Sequence, residues 1–357
     1  MNARYLLAMT AWFERMDPGT HRRIKGLRLV TAYGLAAAIG ALHDVTRDVP
    51  ASVSVGSLAA TFALWASVSE ARATRPESSR DLAVLCLAAA CGAFSLAWLG
   101  PWFDGLGRSG AEFILVSGAF FAGYAKRFGV TGAGIGSQFY IGQVAAYVMK
   151  LAPMDTWAIV VALLIAMLAA IGPRLLSGRA EHPVVLPALA SQPVYGKQAV
   201  SPAFAMGLQA ASGALAVALL NAAFALAESA WAITACVYVV ATSAVGTADR
   251  VRRRIYGTLV GVPIGIICLP LAEHAPLLVW SMAAIAMIVY AMALPDRYDI
   301  ACGAFAFALI VTLAASGVHS IPLLAARAWE TLLGGAIGWL CARLVFPLRS
   351  VPPRDAR

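Results

Sequence analysis

The residues most suited to chemistry are an arginine and a glutamate inside an apolar stretch near the end of the sequence. Arg327 and Glu330 lie three residues apart in the segment 321–346, so on a helix they are neighbours. A charge inside such a segment is costly unless it pairs or meets water. Two compatible interpretations follow: the side chains form an ion pair with each other, or one or both line a site for a substrate or a proton.

The sequence around Arg327 repeats an earlier stretch. RIYGTLVGVPIG, beginning at Arg254, and RAWETLLGGAIG, beginning at Arg327, share the pattern R-x-x-[GE]-T-L-[VL]-G-x-x-I-G. A guanidinium suits carboxylates because it can bind them through two parallel hydrogen bonds. We therefore predict an organic-anion site. Arg254 also has a simpler interpretation, in which it anchors its helix at the cytoplasmic end. The candidate residues of the site are Arg327, Glu330, Arg254, Thr331, Thr258 and Gln138.

Glycines accompany both copies of the repeat at four-residue spacing. Small residues spaced in this way allow helices to pack closely in lipid. We predict a role in helix packing for Gly257, Gly261 and Gly265 in the first copy and Gly334 and Gly338 in the second.

The composition shows what kind of elements must position these residues. Of the 357 residues, 61% are hydrophobic and only 13% are charged, and the mean hydropathy is +0.77. A soluble fold of this length would need far more polar surface. These figures exclude a cytosolic enzyme, a disordered protein and a secreted disulfide scaffold, and they predict an all-α polytopic membrane protein.

About twelve apolar segments are long enough for transmembrane helices, and a Pro-rich stretch divides them into two six-helix halves. The segments lie near 26–42, 52–70, 81–100, 110–124, 132–149, 156–173, 203–221, 229–247, 255–271, 276–294, 300–316 and 321–346. The predicted domains are a cytoplasmic amphipathic N-terminal segment at 1–25, a first half at 26–173, a cytoplasmic linker at 174–202, a second half at 203–346 and a cytoplasmic tail at 347–357.

The basic residues predict the orientation. Counted by loop, 23 of the 27 lysines and arginines fall on one side, which leaves Arg47, Arg108, Lys150 and Arg327 for the other. The positive-inside rule then places both termini in the cytoplasm. The two copies of the repeat start at opposite membrane faces and are three spans apart, as inverted three-helix repeats predict. Gly26-Leu27 and Gly207-Leu208 further relate the two halves.

Other chemistries find little support in the sequence. The six cysteines lie in apolar runs without metal-binding spacing, and no nucleophile and base occur in a recognisable arrangement. The positive net charge is explained by cytoplasmic loops. We therefore expect no enzyme, no cofactor, no metal site and no nucleic-acid partner.

The sequence resembles the fusaric acid resistance family in three features: its two six-helix halves, the motif RxxGTLxG at Arg254–Gly261 and the motif RxxETLLG at Arg327–Gly334. That family includes bacterial aromatic acid exporters and is similar to the plant aluminium-activated malate transporters. The resemblance implies a multi-pass protein of the bacterial inner membrane that exports organic anions, aromatic carboxylates foremost, with possible proton coupling. It also implies a homodimer and a periplasmic adaptor protein as candidate partners, besides the lipid bilayer. An organic-anion channel and a non-transporting membrane scaffold are the alternatives.

Overall fold

A computed structural model describes most of the chain, and every regular element in it is helical. It describes residues 17, 21–47, 49, 53–72, 74–103, 105, 107, 109–177, 200–294, 296–317 and 320–348. The long helices of this part are α1 His21–Gly40, α2 Val55–Ser69, α3 Arg75–Phe103, α4 Glu112–Tyr124, α5 Gly129–Val148, α6 Thr156–Leu176, α7 Pro202–Phe224, α8 Ser229–Val239, α9 Ala244–Ile267, α10 Pro276–Ala293, α11 Tyr298–Ala315 and α12 Ile321–Leu344.

The all-helical membrane fold predicted from the composition is confirmed. Each predicted apolar segment overlaps one of these helices. Six helical stretches of the described chain are long and apolar enough to cross a membrane: Arg75–Phe103, Glu112–Val148, Pro153–Leu176, Pro202–Phe224, Pro276–Ala293 and Tyr298–Ala315. Twelve crossings therefore stay a prediction.

The stretch Glu112–Val148 is a helical hairpin. A 3₁₀ turn, Ala125–Phe128, ends at Gly129, whose φ of 76° lies in the left-handed region that glycine adopts readily. Beyond the turn, Gly136 packs against Phe121. The chain therefore reverses at Gly129, and α4 and α5 run antiparallel.

The predicted end of the eighth segment, 229–247, is wrong, because the helix ends earlier. α8 stops at Val239, and a new helix begins after Ser243, whose side chain accepts the N–H of Gly246 as an N-cap. Thr247 supports this break, because its hydroxyl accepts the N–H of Ala241 at 3.0 Å. The basic stretch 250–254, predicted as a loop, is consequently the start of α9.

The predicted domain limits differ from the helix ends by a few residues. α1 begins at His21 rather than at 26, α6 continues to Leu176, and α12 ends at Leu344. Residues 1–16, 18–20, 178–199 and 349–357 lie outside the described residues. These ranges include most of the predicted N-terminal segment, linker and tail.

The two halves use the same helix pairs. In the first half α3 packs on α5 and α6, and α2 on α1 and α6; in the second, α9 packs on α11 and α12, and α8 on α7 and α12. The halves meet where α7 crosses α4 and where α1 crosses α10. A glycine allows each crossing, because a Cβ at Gly207 would lie 2.9 Å from the Phe120 carbonyl and one at Gly26 would lie 3.0 Å from Ile288 Cα.

Candidate functional site

A large cavity lies between the two halves. Its volume is about 1040 Å³, and its walls come from α1, α2, α5 and α8–α12. One face of α5 lines it from Val130 to Val148, which at 1.5 Å per residue is about 27 Å. The cavity thus extends over a length close to the hydrocarbon thickness of a bilayer.

Four of the six predicted site residues line this cavity: Arg254, Thr258, Arg327 and Thr331. They come from α9 and α12, which pack against each other. Gly335 lies next to Val251, and Val262 and Leu324 belong to one apolar cluster further along.

These two proximities indicate that α9 and α12 run antiparallel, with Arg254 close to the level of Thr331 and Thr258 close to the level of Arg327. The two arginines are five residues apart in this register, or about 8 Å along the helices. Each arginine is therefore level with the threonine of the other copy of the motif.

The positive charge of Arg254 is only partly compensated by its neighbours. Its Nη1 donates to the Tyr298 hydroxyl at 3.5 Å, and its Nε is buried without a hydrogen-bond partner. No carboxylate lies within 4 Å of Arg254 in the part of the chain that the structure describes. An anion entering the cavity would find this charge available.

Arg327 keeps donors available although it has an acidic neighbour. Its side chain is 10% exposed, and Nη2 lies 3.4 Å from Oε2 of Glu228. The guanidinium stacks over the ring of Trp231 at 4.4 Å, a favourable cation–π arrangement. Nε and Nη1 are buried and have no hydrogen-bond partner among the described residues.

The expected ion pair between Arg327 and Glu330 does not form. Glu330 is fully buried, and its Oε1 accepts the backbone N–H of Glu228 at 2.7 Å. It does not line the cavity. Glu228 was not predicted as a site residue, because it precedes α8 and approaches Arg327 only through the packing of α8 on α12. Its position at the edge of an apolar segment was the available signal.

A third acid lies in the same region. Glu112, in the first turn of α4, is fully buried. Its Oε1 accepts hydrogen bonds from Tyr147 and Asn221, both at 2.7 Å, and from Ser229. Since Ser229 follows Glu228 in the chain, this network joins the surroundings of Glu112 to those of Arg327.

Gln138 is placed away from the cavity surface. It is fully buried on α5, and its Nε2 donates to the hydroxyl of Ser69 at 3.0 Å. Its observed contact is therefore a link between α5 and the end of α2, whereas we predicted substrate binding. Gln138 does not line the cavity, and its role in substrate binding stays a prediction.

Aromatic rings cover much of the cavity wall, a feature that no single sequence motif indicates. Trp65 and Phe305 contact edge-to-face at 5.3 Å, and both contact Tyr290. The aromatic residues of the lining come from six helices: Tyr33, Trp65, Tyr140, Trp231, Tyr238, Trp280, Tyr290, Tyr298 and Phe305.

The predicted packing glycines form two corresponding contacts. A side chain at Gly261 would overlap the Gly303 carbonyl of α11, and one at Gly334 would overlap the Ala232 carbonyl of α8. Gly257, Gly265 and Gly338 approach the same partner helices. The glycines hold α9 on α11 and α12 on α8, and thereby position the arginines at the cavity.

Comparison with known proteins finds one family that matches part of the chain. Residues 213–341, from α7 to α12, match the family described as fusaric acid resistance protein-like. This match includes both arginine motifs and confirms the resemblance stated from them. No curated protein and no solved structure matches the chain.

Proposed function

Since residues 213–341 carry the fusaric acid resistance protein-like match, we propose that the protein transports organic anions, aromatic carboxylates foremost, out of the cell across the bacterial inner membrane. One observation carries this proposal. Arg254 and Arg327 lie on the same cavity, and each retains buried N–H groups without a partner in the described chain. A carboxylate is the complementary ligand for such groups.

The cavity wall supports an aromatic substrate. Binding sites for small molecules are mostly apolar, with a few convergent polar groups that set orientation. Here the arginines and threonines supply the polar groups, and the rings of Trp65, Trp231 and Phe305 offer surfaces for an aromatic body. We assign the carboxylate to the arginines and the ring of the substrate to this aromatic wall.

We further propose that α7–α9 and α10–α12 are inverted repeats. The contact of α9 with α11 through Gly261 corresponds to that of α12 with α8 through Gly334. In the observed register, Arg254 with Thr331 corresponds to Arg327 with Thr258. A transporter built from inverted repeats places its substrate between them, which agrees with the location of the cavity.

An organic-anion channel is the second candidate, and the length of the cavity favours it. Its lining follows α5 for about 27 Å. A channel needs positive groups along a continuous path, whereas a carrier closes one end in each state. Electrical measurements distinguish the two.

The test is benzoate flux in proteoliposomes containing the full chain. We expect flux in the wild type and at least a tenfold reduction in Arg254→Gln and in Arg327→Gln. Arg252→Gln is the matched control, since Arg252 lies in the same turn as Arg254 but is 69% exposed and does not line the cavity. Its flux should equal that of the wild type.

The driving force separates the candidates. Flux that responds to a pH gradient supports a carrier, and current that reverses at the benzoate equilibrium potential supports the channel. Unchanged flux in both folded cavity variants would contradict the anion site. If the wild type transports neither benzoate nor aliphatic carboxylates, the result favours a non-transporting membrane scaffold.

A further inference from the structure

Two acids, Glu228 and Glu330, lie close to Arg327 at the cavity, and a third, Glu112, lies near them. Glu228 faces Arg327 at 3.4 Å, and Glu330 is bound to the Glu228 backbone at 2.7 Å. Glu112 reaches the same region through Ser229. Only Glu228 has a cation within 4 Å among the described residues. The cluster has more negative groups than its one guanidinium can balance.

Burial makes this imbalance important. Glu330 and Glu112 are fully buried, and one carboxylate oxygen of each has no hydrogen-bond partner in the described chain. A buried carboxylate without a cation is strongly disfavoured in its charged form. Arg327 faces Glu228, so Glu330 is left as a fully buried carboxyl without a cation within 4 Å among the described residues.

A substrate carboxylate on Arg327 changes this balance by one charge. Arg327 is nine-tenths buried and lines the cavity, and its Nε and Nη1 are unpartnered. A bound carboxylate would take the place of the ionised glutamate as counter-charge. The site stays neutral only if that glutamate then accepts a proton from water.

We propose that Glu228 and Glu330 form a proton-exchange site that shares Arg327 with the substrate. The pair holds one proton without an anion and takes up a second when a carboxylate binds. This inference rests on the proposed anion transport and adds its coupling: anion and proton bind together. For a monocarboxylate the loaded site is electrically neutral, so the membrane voltage does not drive its movement. Outward transport proceeds when the product of the anion and proton concentrations is higher inside the cell than outside.

The helices around Glu330 supply few other charged groups. α12 itself carries Arg327, and the chain before α8 supplies Glu228. α4 adds Glu112, α5 adds Tyr147 and Tyr140, and α9 adds Arg254, about 8 Å from Arg327 along the helices. α7 has no ionisable side chain there; its Asn221 donates to Glu112. Glu112 accepts three hydrogen bonds from neutral donors and forms a separate site.

The experiment measures binding of labelled benzoate to the purified full chain between pH 5.5 and 8.5, where benzoate is ionised. For one linked proton, the wild-type Kd should fall with decreasing pH by up to about tenfold per pH unit. Calorimetry in buffers of different ionisation enthalpy should count up to one proton taken up per benzoate. In Glu228→Gln/Glu330→Gln, binding should persist with neither pH dependence nor proton uptake.

Two variants serve as controls. Glu77→Gln removes an exposed acid at the start of α3, and Glu112→Gln removes the third acid of the region. Both should retain the linked proton. If Glu112→Gln abolishes the linkage, or if the double variant keeps it, the assignment to Glu228 and Glu330 is wrong.

If the double variant fails to fold, the measurements on the wild type still test the proposal. Arg327-dependent binding with a pH-independent Kd and no proton uptake would overturn the proton site and leave the anion site intact. Absence of Arg327-dependent binding would instead overturn the anion site at Arg327, and the proton proposal with it.

Discussion

Glu70 and Arg28 form an ion pair that is almost completely buried. Their side chains are 0% and 4% exposed, and Nη2 of Arg28 donates to Oε2 of Glu70 at 2.8 Å. Glu70→Gln leaves the guanidinium buried without this carboxylate. Breaking a buried pair from one side costs about 3–5 kcal/mol, so we expect a clearly lower Tm in detergent. Arg297→Gln, which breaks an exposed pair with Asp299, should cost less than about 1 kcal/mol.

The same pair predicts a pH dependence. Burial would raise the pKa of the Glu70 carboxyl, but the nearby charges of Arg28 and Lys25 outweigh burial and hold this pKa below its ordinary value. A lowered folded-state pKa contributes stability that is present above the unfolded value, near 4.3, and is lost as the pH falls through the folded value. The Tm difference between wild type and Glu70→Gln should therefore shrink in acid. A difference that grows in acid would contradict this assignment.

Residues that line the cavity were predicted from the sequence where a motif contains them. Arg254, Thr258, Arg327 and Thr331 were found because a repeated pattern fixes their helical positions. Glu228 and the aromatic wall were missed, since they meet the arginines only through contacts between distant helices. Gln138 shows the complementary error: residue type alone does not indicate whether a polar side chain faces a cavity or a neighbouring helix.

At the scale of helices, the close contacts at glycines give a direct test. Ala232 and Gly303 present backbone carbonyls to Gly334 and Gly261, and a backbone cannot move aside as a flexible side chain can. We expect Gly261→Ala and Gly334→Ala each to lower the Tm and benzoate flux, because α9 and α12 would be displaced with their arginines. Gly172→Ala is the control: nothing lies within 4 Å of its added Cβ, so helix propensity should stabilise it by up to about 1 kcal/mol.

The helix ends show why elements were predicted better than their limits. Hydrophobicity located all the long helices, but it continues across the break between α8 and α9, and only the cap at Ser243 marks that break.

Equal tolerance of alanine at Gly172 and Gly261 would contradict the packing role of the motif glycines.

At the scale of the whole molecule, the number of membrane crossings depends in part on whether the three shortest of the twelve helices complete a crossing. α2, α4 and α8 have 15, 13 and 11 residues. Eleven residues extend about 17 Å, less than the roughly 30 Å of a hydrocarbon core. α8 is nevertheless surrounded by protein, with Ala232, Ile233 and Cys236 fully buried. Non-helical backbone at its ends is tolerated in a membrane where protein covers it.

We therefore expect all three to complete a crossing, which single cysteines in a background without the six native ones can test. An impermeant maleimide added to intact cells should label cysteines at Met154 and His274. It should not label those at Arg72, Arg127 or Arg252, which follow α2, α4 and α8 and should react only after permeabilisation. Labelling at Arg252 in intact cells would show that α8 does not cross. If His274 is labelled there as well, α9 does not cross either, the two copies of the motif start at the same face, and the inverted repeat fails.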